Sequence, residues 1–424
     1  MPGAAAQSLV RWLDELGTIS DEPGRLTRTF LSPAMRRAND RVARWMTEAG
    51  LAVREDAMGN LAGRLPGPGP RAPTLWLGSH LDTVRDAGRF DGALGVLAPL
   101  AALGELRRRG VRLPFAVEVL GFSEEEGVRF ARAYLGSKAF TGQLRPADLA
   151  ARDADGVTAR AAAAAWRGRP PAPPVERSPA RPRRRAGPRP LGYVEVHIEQ
   201  GPVLERERLA LGVVSAIAGQ SRARLAWRGR AGHAGTTPMA LRRDALAGAA
   251  EFIRFVESTA RLRAPLVATV GSLQVSPGAP NVIPGEAVLS LDVRHPRDAA
   301  RRSALGHLLA EARAIARRRG LRVTWEKTQD HRAVACNPVL TRLLAASVGT
   351  VQSRAPALVS GAGHDAVVVS AVAPVAMLFV RCRAGLSHHP AEHATPADLA
   401  AALAALVDFL VRLAARERRR ASAP

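Results

Sequence analysis

The sequence predicts an α/β protein, a mixed, mostly parallel sheet flanked by helices and interrupted by an inserted α+β domain. Three observations carry that prediction. Strand-like apolar runs alternate with helical periodicities in the first and last parts of the chain, which calls for parallel pairing through crossover helices. Several of these runs end in His, Asp or Glu, at the carboxyl ends where open α/β sheets bind ligands. Between about residues 215 and 330 the order changes to β-α-β-β-α-β, the split βαβ unit of ferredoxin-like domains.

Taken in order, residues 5–16 and 34–49 carry helical periodicity, and Gly50 stands as a C-terminal stop after the second. Short strand runs at 51–55 and 60–65 lead, past a Pro-Gly cluster, to the apolar run 74–79. Residues 92–109 read as a helix ended by Gly110, and 114–122 as a buried strand. Residues 129–166 read as mainly helical, with a turn at 153–156, and 191–198 resumes a strand. In the insertion, strands are expected at 221–228, 265–275, 286–294 and 321–326, and helices at 244–262 and 298–319. A helix at 338–348, strands at 357–359 and 375–380, and a helix at 395–414 capped by Thr395 complete the chain.

At 424 residues the chain exceeds what one hydrophobic core serves, so two domains are expected. The division is 1–214 and 331–424 for the first and 215–330 for the second. Its two cysteines, Cys336 and Cys382, point to a reducing compartment rather than a disulfide scaffold. With no basic-then-apolar N-terminal segment and no uninterrupted apolar run of about eighteen residues, a cytoplasmic protein without a membrane partner is expected. The net charge of +23 raises nucleic acid as a partner. Against that, the excess is almost entirely arginine, and its densest runs fall in the Pro-rich stretch 167–190, read as an exposed linker, and at the C-terminus. No aromatic residues are interleaved for stacking bases, so the charge reads as solvated surface and no nucleic-acid partner is expected.

The candidate chemistry starts at G-S-H-L-D-T-V (78–84) and F-D-G (90–92), which place His80, Asp82 and Asp91 just beyond a strand. A single histidine there reads equally as a capping or packing residue. S-E-E-E-G (123–127), V-H-I-E-Q-G (196–201) and L-S-H-H-P (386–390) repeat the pattern, and repetition makes packing a poor account. Three successive glutamates usually mark a solvent face, yet Glu124, Glu125 and Glu126 follow an apolar strand, where a nearby cation would stabilise them. His388 and His389 offer the same chemistry, and periodicity does not separate them.

These motifs, with F-D-G-A-L-G-V, S-E-E-E-G-V-R-F, G-H-A-G-T-T-P-M, S-G-A-G-H-D-A and L-S-H-H-P-A-E, resemble the amidohydrolase branch of the dinuclear M20 metallopeptidase family along nearly the whole chain. That branch holds allantoate amidohydrolases, N-carbamoyl-L-amino-acid hydrolases and β-ureidopropionases. The resemblance implies two divalent ions per subunit, Mn²⁺ or Zn²⁺ with Co²⁺ also suited to such ligands, bridged by Asp91. One ion would also be held by His80 and His197, the other by Glu126 and His388. Asp82 would fix the His80 tautomer, and Glu125 would be the general base.

In the insertion, the resemblance implies that His233 stabilises the oxyanion and reaches an active site across a homodimer formed through that domain. Gln220, Asn281 and Arg294 match substrate-binding positions of the branch; an arginine fork suits a carboxylate, and amides read ureido oxygen and nitrogen. Each alone would pass for a surface or turn residue. Gly363 and His364 are further substrate-binding candidates, in a loop that lacks the lysine of a phosphate cradle. The expected activity is hydrolysis of a C–N bond in a linear ureido acid, with allantoate the leading substrate. N-carbamoyl-L-amino acids and β-ureidopropionate are the alternatives, with a peptidase and a non-catalytic binding protein more distant ones.

Overall fold

The structure, a computed structural model, describes residues 3–168, 176–177 and 190–422. The chain forms two compact units, one of Ala216–Ala335 and the other of the segments on either side of it. The expected exposed linker at 167–190 falls almost wholly outside the described residues.

The larger unit is built on a ten-stranded sheet. Four parallel strands lie at its centre, in the order Val375–Val380, Gly192–Ile198, Thr74–His80 and Ala116–Phe122. Every residue in them is buried, which explains why they read as continuous apolar runs rather than as alternating ones. Antiparallel neighbours flank this centre. Leu61–Leu65 pairs with Ala116–Phe122, and Leu211–Ile217 pairs with Val375–Val380. The Leu211–Ile217 strand is missing from the sequence reading, and its antiparallel pairing makes that side of the sheet mixed.

Helix boundaries follow local chemistry. Gly50 adopts φ 83° after the Pro33–Glu48 helix, and Leu51 N–H donates back to Met46 O at 2.9 Å, closing the helix end. Asp153 Oδ1 accepts from the amides of Asp155 and Val157, forming the expected turn between Pro146–Ala150 and Ala159–Gly168. Thr395 Oγ1 caps the C-terminal helix Pro396–Ala421 by accepting from Asp398 N at 3.1 Å. Leu9 and Leu13 near the N-terminus, Leu97 of the Ala93–Arg108 helix, and Leu406 and Leu410 share one core with Leu77, Val119, Val196 and Leu378 of the strands.

The Ala216–Ala335 unit has its own sheet and core. Gly219–Arg228 lies between Glu286–His295 and Arg322–His331, all antiparallel. Along Glu286–His295 burial alternates residue by residue, as in a strand with one covered face. The helices Ala245–Leu262 and Asp298–Arg318 supply Phe252, Val256, Leu308 and Ile315 to the core around Trp227 and Leu289. The single strand expected over 265–275 is two, Val267–Thr269 and Leu273–Ser276, both paired with Glu286–His295 around an intervening Gly271. Among the described residues no helix is long and apolar enough to cross a membrane.

Candidate metal centre

The parallel strands aim their carboxyl ends at one place. Thr74–His80 ends in His80 and Gly192–Ile198 carries His197 next to its last residue, both buried. The F-D-G turn brings Asp91 between them, and its glycine is obligatory. Gly92 adopts φ 67°, and a Cβ there would lie 2.5 Å from Cε1 and Nδ1 of His80. His388, at the far end of the chain, arrives in a left-handed conformation with φ 57°. A non-glycine residue held there carries strain that the surrounding contacts must impose.

Asp91 is the hub. Its Oδ1 lies 3.4 Å from His80 Nε2 and 3.0 Å from His197 Nε2, and its Oδ2 lies 3.3 Å from His388 Nε2. His388 Nε2 is also 3.3 Å from Glu126 Oε1. His80, Asp91 and His197 can present ligand atoms within 4.8 Å of one another, as can Asp91, Glu126 and His388, and His80, Glu125 and Glu126. Thus the five residues expected as ligands converge.

The back of each buried ring shows that these groups suit a cation. Nδ1 of His80 is 3.0 Å from the backbone carbonyl of Asp82, and Nδ1 of His197 is 2.9 Å from that of Ile198. A carbonyl only accepts, so both rings place a proton on Nδ1 and turn Nε2 toward the Asp91 carboxylate. With Nδ1 so engaged, Nε2 is the atom each ring can offer to an ion beside Asp91. Hydrogen bonds to Asp91 and Glu126 raise the His388 pKa to about 10. Burial opposes ionisation of Asp91, yet the charge and hydrogen bond of His197, with those of His388 and His80, hold its pKa well below the ordinary aspartate value.

Asp82 takes a different position from the one expected. The nearer acceptor for His80 is the Asp82 backbone carbonyl, and the carboxylate stands 3.5 Å from Nδ1. That carboxylate instead accepts the amides of Glu125, at 3.0 Å, and Glu126, at 3.1 Å, holding the glutamate turn against the strand end. Glu125 is buried, and desolvation followed by repulsion from Glu126 raises its pKa well above the usual value, which suits a group that must take up a proton.

Other residues of the centre escaped sequence reasoning. Gln200, at φ 55°, donates from Nε2 to Asp91 Oδ2 at 2.9 Å and to Ser387 Oγ at 3.0 Å. Ser387 donates in turn to Asp91 Oδ2 at 2.7 Å, and Glu392 Oε1 accepts the amides of Phe90 and Asp91. Their signal was present as polar positions within the quoted motifs that had no assigned task. Glu195, fully buried, accepts from Ser79 Oγ at 2.6 Å and from Ala366 N at 3.0 Å, tying two strands to the Gly-rich loop.

His364, expected to bind substrate, is buried, with Nε2 2.7 Å from Ser360 Oγ and its ring edge-on to His197 at 4.5 Å. Burial and the neighbouring His197 hold its pKa well below the ordinary value, and the ring packs against a candidate ligand. Gly363 lies beside it, against the hydroxyl of Tyr134.

The remaining candidates lie in the Ala216–Ala335 unit and group in pairs. Gln220 is the register partner of Arg294, and both reach Asp292: Gln220 Nε2 to Oδ2 at 2.7 Å, and Arg294 through Nε and NH2 at 2.9 Å each. A two-residue ladder, Gly232–His233 with Val282–Ile283, sets exposed His233 next to exposed Asn281, whose carbonyl accepts from Ala234 N. Gly235 N donates to His233 Nδ1 at 3.0 Å, which leaves the ring proton on Nε2, free to donate outward.

A parallel sheet that gathers imidazoles and carboxylates at its strand ends, with a buried glutamate beside them, defines a metal-dependent hydrolase. The peptidase family M20/M25/M40 matches residues 76–412, and the chain belongs to that metal-dependent family. It is 40% identical to allantoate deiminase 2 of Glycine max, over 97% of this chain and 90% of that protein. It is 41% identical to the N-carbamoyl-L-amino acid amidohydrolase of Geobacillus stearothermophilus, over 96% of this chain and 98% of the relative. Among solved structures, a hydantoinase/carbamoylase family amidase from Burkholderia multivorans superposes with a TM-score of 0.88 at 35% identity, covering 96% of this chain and 98% of that one.

Proposed function

We propose that the protein is an amidohydrolase of linear ureido acids, with allantoate as its substrate. The observation that carries the reading is the convergence of His80, His197, His388 and Glu126 on Asp91, beside buried Glu125. Relatives named for allantoate and for N-carbamoyl-L-amino acids support it.

Asp91 would serve two divalent ions, Mn²⁺ or Zn²⁺, with His80 and His197 completing one site and Glu126 and His388 the other. When bound, such ions polarise the scissile carbonyl and make water a competent nucleophile at neutral pH. Glu125 takes the proton from the attacking water and returns it to the departing nitrogen. Asp82 keeps Glu125 and Glu126 in place through their amides, and His364 steadies the His197 ring. Arg294, its fork held by Asp292, is assigned to the substrate carboxylate, Gln220 and Asn281 to the ureido group, and His233, with its outward Nε2–H, to the oxyanion. Attack on the carbamoyl carbon releases ammonia and carbon dioxide and leaves ureidoglycine. The catalytic unit is assigned as a homodimer through the inserted unit, where Leu262, Val267 and Trp325 are exposed apolar side chains.

The reading is tested by comparing turnover of allantoate, N-carbamoyl-L-methionine and N-carbamoyl-β-alanine by the Mn²⁺-loaded protein. Preference for allantoate is expected. A clear preference for the methionine derivative would move the protein to the carbamoyl-amino-acid hydrolases, and cleavage of a dipeptide alone would overturn the ureido assignment.

A further inference from the structure

We propose that Tyr134 contacts the substrate: its phenol hydroxyl, seated against Gly363 on the Glu125 side of the centre, donates a hydrogen bond to the carbamoyl group being hydrolysed. The inference rests on the ureido-acid reading and adds to it a residue that sets how that group is held.

Three features of the structure support it. First, the backbone at Tyr134 is forced. The residue has φ 67°, a left-handed conformation that a bulky side chain adopts only under strain. Its amide donates to the Glu125 carbonyl at 3.2 Å, so the strained residue is clamped directly to the proposed base. A helix, Leu135–Thr141, begins immediately after it.

Second, the hydroxyl is placed rather than merely accommodated. A Cβ built at Gly363 would collide with Tyr134 Oη, so the glycine of S-G-A-G-H-D-A leaves room for this phenol. Yet the hydroxyl has no hydrogen-bond partner among the described residues. The residue is half-buried, so the hydroxyl stays accessible, and an open donor at a reaction centre is completed by what binds there.

Third, its charged surroundings are acidic. Burial, then the charges of Glu125 and Asp365, push its pKa well above the ordinary phenol value, so the hydroxyl keeps its proton. The charged groups that act on it, Glu125, Asp365, Glu126 and Glu195, are all carboxylates. A carbamoyl oxygen needs the opposite, and Tyr134 is a neutral donor suited to supply it.

The test uses the full chain loaded with Mn²⁺. Y134F removes one oxygen atom and no packing volume, so metal content and melting temperature should equal those of the unaltered protein. Meanwhile kcat/KM on the preferred ureido acid should fall about tenfold or more, the scale of a hydrogen bond lost at a desolvated site. G363A should also lower kcat/KM by pushing the hydroxyl away, and its penalty should shrink in the Y134F background, where the nearest atom to the added Cβ is the ring Cζ at 3.2 Å. That coupling is a readout a purely structural tyrosine would not give. Y134F with kcat/KM within twofold of the unaltered protein overturns the proposal while leaving the ureido-acid reading intact. Absence of turnover on every ureido acid by the unaltered protein overturns that reading, and this inference with it.

Discussion

The two buried histidines of the centre are specified from behind. Carbonyls at Asp82 and Ile198 engage their Nδ1 atoms, and so decide that both rings turn Nε2 to the space around Asp91. The task proposed for Glu125 rests on its burial beside Glu126, which raises its affinity for a proton. E125Q keeps the shape and loses the base. Its kcat should drop about 10²- to 10⁴-fold while metal content measured by elemental analysis stays full, and undiminished turnover at full loading would refute the role. A second residue-scale expectation concerns stability. Arg301 is almost fully buried and pairs with Asp330 at 2.5 Å, and that hydrogen bond is the main reason the Asp330 pKa falls from 3.8 to about 2. A depressed folded-state pKa stabilises the native state above the unfolded value and ceases to do so as pH falls through the folded one. D330N should therefore melt below the unaltered protein at pH 7, with the gap closing between about pH 4 and pH 2; a gap independent of pH would sink the assignment.

At the scale of elements, the centre depends on how closely the Thr74–His80 strand approaches its neighbours. Gly78 pairs with Leu120, and a Cβ at Gly78 would collide with the Leu120 backbone carbonyl. G78A should therefore separate these strands, costing on the order of 1–3 kcal/mol in thermal or denaturant unfolding. Because His80 closes the same strand, metal affinity should fall with stability, and unchanged affinity in a destabilised variant would show the strand end to be independent of the pairing. The elements themselves were largely legible. Buried strands announced themselves as apolar runs, and caps such as Gly50 and Thr395 marked helix ends. Less legible were Leu211–Ile217, whose run merges with the start of the inserted unit, and the two-residue ladder of Gly232–His233 with Val282–Ile283, too short to leave a period.

For the whole molecule, a centre assembled from segments between His80 and His388 links distant parts of the chain, so ion binding and folding should be coupled. Removing ions with a chelator should lower the melting temperature by several degrees, since a ligand at about a thousand times its Kd contributes about 4 kcal/mol to the native state. Readdition of Mn²⁺ should restore it, and melting curves unaffected by chelation would argue against a bound ion. The candidate ligands were readable as residue types because His, Asp and Glu at strand ends have few structural uses in such numbers.

What the sequence by itself determined is the set of elements and the motifs: periodicity, capping and strand-end polarity are local properties, written within a dozen or so neighbouring positions. Only the tertiary structure decided that Gln200 and Ser387 brace Asp91, that His364 packs on His197 rather than facing outward, and that the Asp82 carboxylate serves the glutamate turn. It alone seated the Tyr134 hydroxyl against Gly363. These are contacts between residues far apart in the chain, fixed by close packing and by the need of buried polar groups for partners, and neither condition leaves a trace in local order.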